Sequence, residues 1–405
     1  MNFIDLFSGA GGLSEGFIKA GFNPIAHVEL DSHACNTLET RLVYHKLKHE
    51  NNLDHYNDYL NEKISRENFI SKFGDKFLTD SVLNIGIGGK NNEVIFDKID
   101  ELAGNNEIDL VIGGPPCQAY SLVGRARDKK GMKDDPRNFL YKEYAKFLKN
   151  YRPKAFVFEN VLGLVSAENG SYFKNMQKYF RSIGYNLHYK IQHSEDFGVL
   201  QKRRRVILIG WRKDIDFEYP FFDRIEHDFK VRDILTDLKK LKPGEQKNIT
   251  KYKTDATEYL NQFELRNGVD FVSQHIARPH NNRDLEIYKI AIKKWQKKER
   301  LKYPDLPSEL KTHKNEKSFV DRFKVVDPNG FSHTMVAHIA KDGHHYIYPD
   351  TKQVRSLSVR EAARIQSFSD DFFFEGGRSA AFRQIGNAVP PLMANAIANK
   401  MISII

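Results

Sequence analysis

Apolar residues along the 405-residue chain gather into short runs closed by glycine or by a polar or acidic residue, the pattern of strands buried in a sheet. Phe3-Ile4-Asp5-Leu6-Phe7 is the first run, and it leads straight into Ser8-Gly9-Ala10-Gly11-Gly12 and a helical stretch through Ala20. Pro24 to Leu30 is the second, ending in Glu29-Leu30-Asp31, and Ile108 to Ile112, Lys154 to Phe158 and Val206 to Gly210 follow. Between them a helix is predicted from about Asn138 to Asn150, with Phe139, Tyr144, Phe147 and Leu148 on its apolar face. Strands alternating with helices, opened by a strand, a glycine turn and a helix, predict an α/β fold with a doubly wound, Rossmann-like sheet.

Two stretches break this rhythm. Residues 41–90 are rich in Asn, Lys and Asp with scattered aromatics, an insertion with some helix and no assignable chemistry. From about Lys213 to Tyr348 the chain is charged and uneven, with a hairpin predicted between Thr334–Ala340 and His344–Pro349 across Asp342-Gly343. A helix is expected from Ser358 to Phe368, with Ser358 as N-cap and Glu361 at the capping-box position. Gln384-Ile385-Gly386-Asn387-Ala388-Val389-Pro390-Pro391 is read as the start of a last helix that returns to the first domain. The expected division is a first domain over 1–212 completed by 380–405, a smaller irregular domain over 213–350, and a hinge-side segment over 351–379.

Candidate chemistry collects where strands end. Gly113-Gly114-Pro115-Pro116-Cys117-Gln118-Ala119-Tyr120-Ser121 follows a buried strand. The two prolines fix φ and donate no N–H immediately before Cys117, and the glycines leave room for another molecule to approach. A lone cysteine is commonly just a small buried hydrophobe; one mounted so rigidly reads as a nucleophile. The following loop, 122–138, carries Gly124, Arg125, Arg127 and several lysines, as a lid that contacts phosphates would. Glu159 again sits at a strand's carboxyl end; desolvated, it could donate a proton. In extended chain Arg203 and Arg205 lie on one face, a paired guanidinium grip for an anion or carbonyl. Gly9 and Gly11 do not meet the G-x-G-x-x-G spacing, so a dinucleotide is the weaker guess, but Glu29 stands where such folds hold ribose hydroxyls.

Composition narrows the classes. Two cysteines, Cys35 and Cys117, exclude a disulfide framework and a zinc site built mainly from cysteines, and His344-His345 read as hairpin side chains, so no metal is expected. No 18-residue apolar run and no signal-like N-terminus are present, so no membrane association is expected and a cytoplasmic location is. A formal net charge of +10 favours a polyanionic partner.

Taken in order, Asp5-Leu6-Phe7-Ser8-Gly9-Ala10-Gly11-Gly12, Glu29 with Asp31, Pro115-Pro116-Cys117-Gln118, Glu159-Asn160-Val161, Gln201-x-Arg203-x-Arg205, Arg360-Glu361-Ala362-Ala363-Arg364 and Gln384-x-Gly386-Asn387 resemble the motifs of the DNA (cytosine-5) methyltransferases, prokaryotic restriction-modification type. The resemblance implies an S-adenosylmethionine-dependent methyltransferase domain plus a target-recognition domain over 213–350. S-adenosyl-L-methionine would lie with Phe7 and Leu30 near adenine, Glu29 on the ribose hydroxyls, and Gly9, Gly11 and Asn387 around the methionine part. Members often carry an aromatic where this chain has Leu30, and Ile87 stands where an aspartate is usual. The resemblance also implies Cys117 as nucleophile, Glu159 on ring nitrogen 3 of a flipped cytosine, and Arg205 with Arg203 on its carbonyl. Pro116, Gln118, Ser121, Arg125 and Arg127 would contact the substrate. Double-stranded DNA is the implied partner, a monomer the expected state, and pairing with a restriction endonuclease of the same specificity follows from family habit. Two other readings are an RNA (tRNA) cytosine-5 methyltransferase and a catalytically silent DNA-binding regulator; retention of Cys117, Glu159 and the arginines counts against the latter.

Overall fold

The computed structural model describes residues 1–116, 139–266, 269–312, 317 and 320–404. Cys117, Gln118, Ser121, Arg125, Arg127 and the expected lid lie outside the described residues. Among the described residues seven strands form the main sheet, in the order β3 (Val82–Asn84), β2 (Asn23–Glu29), β1 (Asn2–Leu6), β4 (Leu110–Gly113), β5 (Ala155–Asn160), β8 (Arg204–Arg212), β6 (Tyr185–His193). The first five are mutually parallel; β8 runs antiparallel to β5, and β6 antiparallel to β8. β7 (Gln201–Lys202) stands outside this sheet.

Strict alternation along these strands feeds two separate cores, as a sheet covered on both faces requires. Ile4, Leu6, Val111, Phe156 and Phe158 point to one side, where α6 (Asn91–Ala103), α7 (Leu140–Tyr151) and α9 (Ser171–Ser182) cover them. Phe3, Leu110, Ile112, Val157 and Ile209 point to the other, against α1 (Gly12–Lys19) and α14 (Pro391–Met401). The end of the chain thus packs on its beginning, with Asn395 Nδ2 donating to the Gly16 carbonyl at 3.1 Å.

Over 41–90 the chain forms the end of α2 (Ser32–His49), then α3 (Asp54–Leu60), α4 (Arg66–Phe73), α5 (Lys76–Asp80) and β3. A short α8 (Gly163–Ser166) follows β5. The second lobe holds α10 (Glu258–Gln262), α11 (Asn282–Gln296) and an antiparallel pair, β9 (Gln246–Lys251) with β10 (Phe271–Ile276). The hairpin expected over 334–349 does not form. Instead β11 (Ser332–His333) pairs in parallel with β7, and Ala337–Ala340 is a 3-10 turn. Side chains take over the missing ladder: Met335 N donates to Gln201 Oε1 at 2.6 Å and Val336 N to the Tyr346 hydroxyl at 3.0 Å, which itself donates to the Thr334 carbonyl.

α12 (Val359–Ile365) begins with the expected capping box, Ser358 Oγ accepting from Glu361 N at 3.2 Å and Glu361 accepting from Ser358 N at 2.7 Å. All seven of its residues are buried. Arg364 is held between Asp370 and Asp237, Arg355 is held bidentately by Glu361, and Arg360 is spent on the carbonyls of Ser273, Ser369 and Phe372. Gln384 does not open the last helix. It lies within α13 (Arg378–Asn387), which ends at Asn387; α14 starts afresh at Pro391, where a missing N–H costs nothing.

Candidate active site

β1 connects outward to β2 on one side while β4 lies on its other side, so the strand order reverses between β1 and β4. In an open parallel sheet that reversal leaves a crevice beyond the strands' carboxyl ends, where ligands bind. The β1 turn Phe7–Gly11, Glu29 of β2, the Gly114-Pro115-Pro116 stretch and Glu159 of β5 all stand on this edge.

The β1 turn is built for close approach. Phe7 adopts φ 58°, a conformation that side chains other than glycine rarely take and that collects at functional sites. Gly9 has φ 54°, and a Cβ added there would meet nothing within 4 Å. Glu29 faces this turn: one carboxylate oxygen accepts from Gly9 N at 2.8 Å, the other from Leu30 N and Asp31 N at 2.8 Å each. Leu30 is 72% exposed beside it. Asn84, at the end of β3, donates to the Glu29 and Leu30 carbonyls, a brace no sequence motif announced; Ile87 packs against the core beyond it. Asn387 is exposed at the end of α13.

On the β4 side the two glycines are required by the chain's own strands. A Cβ at Gly113 would stand 1.9 Å from the Leu6 carbonyl oxygen, and one at Gly114 2.1 Å from that of Glu159. The room expected for a second molecule is therefore taken by β1 and β5. Buried Asn160 donates to the Pro115 carbonyl at 3.1 Å, tying the proline pair to β5; Pro116, the residue before Cys117, is exposed.

Glu159 and Arg205 form an ion pair, Nε to Oε1 at 2.6 Å, with side chains 15% and 11% exposed. At a crevice edge this is a charge-assisted pair able to present both an acceptor and donors. Arg203 does not join it, and the paired grip is corrected accordingly. Arg203 sits between β7 and β8, fully buried, donating to the carbonyls of Met335 at 2.5 Å, Ala388 at 2.9 Å and Gly386 at 3.5 Å. A one-residue break between the short β7 and the start of β8 turns it inward, which period-two reasoning misses. It brackets Asn387 from both sides of the turn.

Two further buried groups lie close to the crevice. Cys35 donates to the Glu29 carbonyl at 3.5 Å, and burial, with the Glu29 charge adding, pushes its thiol up to about 12, unsuited to nucleophilic work. Asp5, 1% exposed, has neither carboxyl oxygen hydrogen-bonded among the described residues; burial, reinforced by Glu29, pushes its carboxyl well above the usual range. Its register partner His27 is bonded to Ser14 through Nε2 at 2.8 Å, and burial pushes its imidazole down to about 3. Among the described residues no group of three or more His, Cys, Asp or Glu is placed to hold a metal ion, and no helix is long and apolar enough to cross a membrane.

A family model for C-5 cytosine-specific DNA methylases matches residues 1–66 and 85–403. The chain is 43% identical over 441 residues to the type II methyltransferase M.Bpa9945I of Bacillus paralicheniformis, covering 100% of this chain and 99% of that one. It is 30% identical over 424 residues to the type II methyltransferase M.DdeI of Desulfomicrobium norvegicum, covering 99% and 88%. Among solved structures it is similar to an E. coli prophage protein determined as a candidate DNA modification methyltransferase, with TM-score 0.66, 25% identity and 100% and 99% of the two chains covered. The Schizosaccharomyces pombe Dnmt2 methyltransferase, at 15% identity and TM-score 0.51 with the same coverage, shares the fold.

Proposed function

The chain belongs to the C-5 cytosine-specific DNA methylases, and from that premise we propose that it methylates carbon 5 of a cytosine flipped out of a specific duplex sequence, through a covalent adduct with Cys117. The relatives it matches are named type II methyltransferases, and the family model is that of C-5 cytosine-specific DNA methylases. The observation that carries the finer reading is the convergence, on one crevice edge, of the Phe7–Gly11 turn, Glu29, the Asn160-braced proline pair before Cys117 and the Glu159–Arg205 pair.

S-adenosylmethionine supplies an electrophilic methyl group. The residues present fit it: after its three backbone bonds Glu29 keeps one lone-pair site, on Oε2, for a ribose hydroxyl, Leu30 offers an exposed apolar surface for adenine, and Gly9 leaves open space. Asn387 is free to meet the methionine end. Carbon 5 of cytosine is a poor nucleophile. Addition of the Cys117 thiolate to carbon 6 forms a carbon–sulfur bond and places an electron pair on carbon 5, which takes the methyl group; loss of the carbon-5 proton returns the pair and expels the thiolate. Glu159 would hydrogen-bond or protonate ring nitrogen 3, and Arg205 would hold the carbonyl. In their present pairing each also orients the other. Flipping the base costs a few kcal/mol, which pocket and phosphate contacts offset. The second lobe, 213–350, would read the sequence in the major groove. Incubating plasmid DNA and an RNA competitor with labelled S-adenosylmethionine and mapping the label tests this directly: modified cytosines in one DNA sequence context are expected, and label on RNA alone contradicts it.

A further inference from the structure

The insertion carries none of the motif residues, and residues 67–84 within it fall outside the family match, yet its side chains reach into the machinery. Glu375, 6% exposed in the segment before α13, has one carboxylate oxygen that accepts from Tyr59 of α3 at 2.7 Å and from Thr40 of α2 at 2.5 Å, and it forms an ion pair, without a hydrogen bond, with Arg66 Nε of α4 at 3.5 Å. Arg66 is itself fixed by Glu39 at 2.6 Å and by the Asn36 carbonyl at 3.0 Å. The backbone of Glu375 then holds α13. Its N–H donates to Thr37 Oγ1 at 2.8 Å, and its carbonyl accepts from Gln384 Nε2 at 2.8 Å, while Gln384 Oε1 lies 2.6 Å from the same Thr37 hydroxyl. Gln384 and Thr37 are 5% and 0% exposed, so these bonds are shielded from water. Gln384 stands one helical turn before Asn387, and α2, which supplies Thr37 and Thr40, begins at the Asp31 cap directly after Glu29-Leu30.

We propose that Tyr59 and Arg66 are positioning residues for the cofactor: by gripping Glu375 they fix Gln384 against α2, and so set Asn387 relative to Glu29 across the crevice. This rests on the reading that Glu29 and Asn387 hold S-adenosylmethionine. The insertion packs also on the second lobe, where Tyr56, Tyr59 and Phe69 share a core with Phe271 and Glu62 accepts from Asn248 at 2.9 Å. It therefore braces α13 from a fixed base rather than from a free-standing arm.

The test is calorimetric titration of the intact protein with S-adenosylhomocysteine, with Tyr59→Phe, Arg66→Ala, Gln384→Ala and Glu29→Ala compared with wild type. Tyr59→Phe and Arg66→Ala are each expected to weaken binding roughly 3- to 10-fold, as couplings carried through packed networks do, with the fraction of binding-competent protein unchanged. In the Gln384→Ala background Tyr59→Phe should weaken it no further, because its route is already cut. Wild-type affinity in Tyr59→Phe and Arg66→Ala, or a full second loss on top of Gln384→Ala, overturns the proposal. A merely structural role would lower the melting temperature without moving the affinity of folded protein. Glu29→Ala separates the underlying reading: if it leaves affinity intact, the cofactor assignment fails, whereas loss there with no effect of the insertion variants defeats the positioning role alone.

Discussion

At the scale of single residues, Glu29 is the side chain whose chemistry is most exposed to test. Its three backbone bonds hold it in place beside Gly9 before any ligand arrives, so its removal costs both a hydroxyl contact and preorganisation of the turn. Glu29→Ala should weaken S-adenosylmethionine by about 1.5–3 kcal/mol, tenfold or more, while DNA binding changes little, as read by titrating each ligand separately. Asp5 offers the opposite case, a buried acid with no hydrogen-bond partner among the described residues. Its carboxyl titrates above the unfolded value of 3.8. Between those two values the folded protein holds a proton that the unfolded chain has lost, so stability is full below the unfolded value and falls as pH rises through the folded one. Asp5→Asn cannot ionise, so its denaturant midpoint should gain on wild type as pH rises above the unfolded value; a constant difference would mean Asp5 keeps its ordinary affinity for protons.

At the scale of elements, five of the seven main-sheet strands among the described residues were legible, because period-two alternation and buried runs are properties of the local sequence; Phe3–Phe7, Ile108–Ile112 and Lys154–Phe158 are among them, whereas β3 and β6 were not expected. The capping box of Ser358 and Glu361 was legible for the same reason. The hairpin over 334–349 was not, because the partner of β11 is β7, some 130 residues away, and because Gln201, Arg203 and Tyr346 satisfy the backbone that a hairpin would have paired. Arg203 is where these segments meet. Arg203→Ala should take this donor from the buried Met335 and Gly386 carbonyls, leaving Ala388 with Gln366 alone, and cost about 3 kcal/mol or more in urea unfolding, since bonds to a charged donor are worth about 1.5–3 kcal/mol each before compensation. Arg205→Ala, removing an ion pair at the crevice edge, should instead spare stability and depress turnover. Equal stability losses in the two variants would contradict the division of roles.

At the scale of the whole molecule, the Phe7–Gly11 turn, Glu29 and the Glu159–Arg205 pair occupy one edge of the main sheet, while 213–350 contributes none of them and packs Val231, Leu260, Met335 and Tyr346 into one core with Ala10, Leu200, α12 and α13. Exchange of 213–350 for the corresponding segment of a relative with another target should move the methylated sequence, and an unchanged target would place recognition elsewhere. What ties distant segments together, Tyr59 on Glu375 and Arg203 on the Ala388 carbonyl, was not legible in advance, because each joins residues more than 180 positions apart; Tyr59 belongs to no motif, and the motif of Arg203 pointed to the substrate instead. The nucleophilic role proposed for Cys117 rests on its mount, and Asn160 ties Pro115 of that mount to β5. The most direct measurement is therefore on Cys117. A duplex with 5-fluorocytosine at the target should trap the enzyme after methyl transfer, because fluorine cannot leave as the carbon-5 proton does. A covalent protein–DNA adduct that requires S-adenosylmethionine and is lost in Cys117→Ala, while that variant still binds DNA, is the predicted result. Methylation by Cys117→Ala at the wild-type rate, or an adduct that persists in it, would contradict the covalent mechanism assigned to this cysteine.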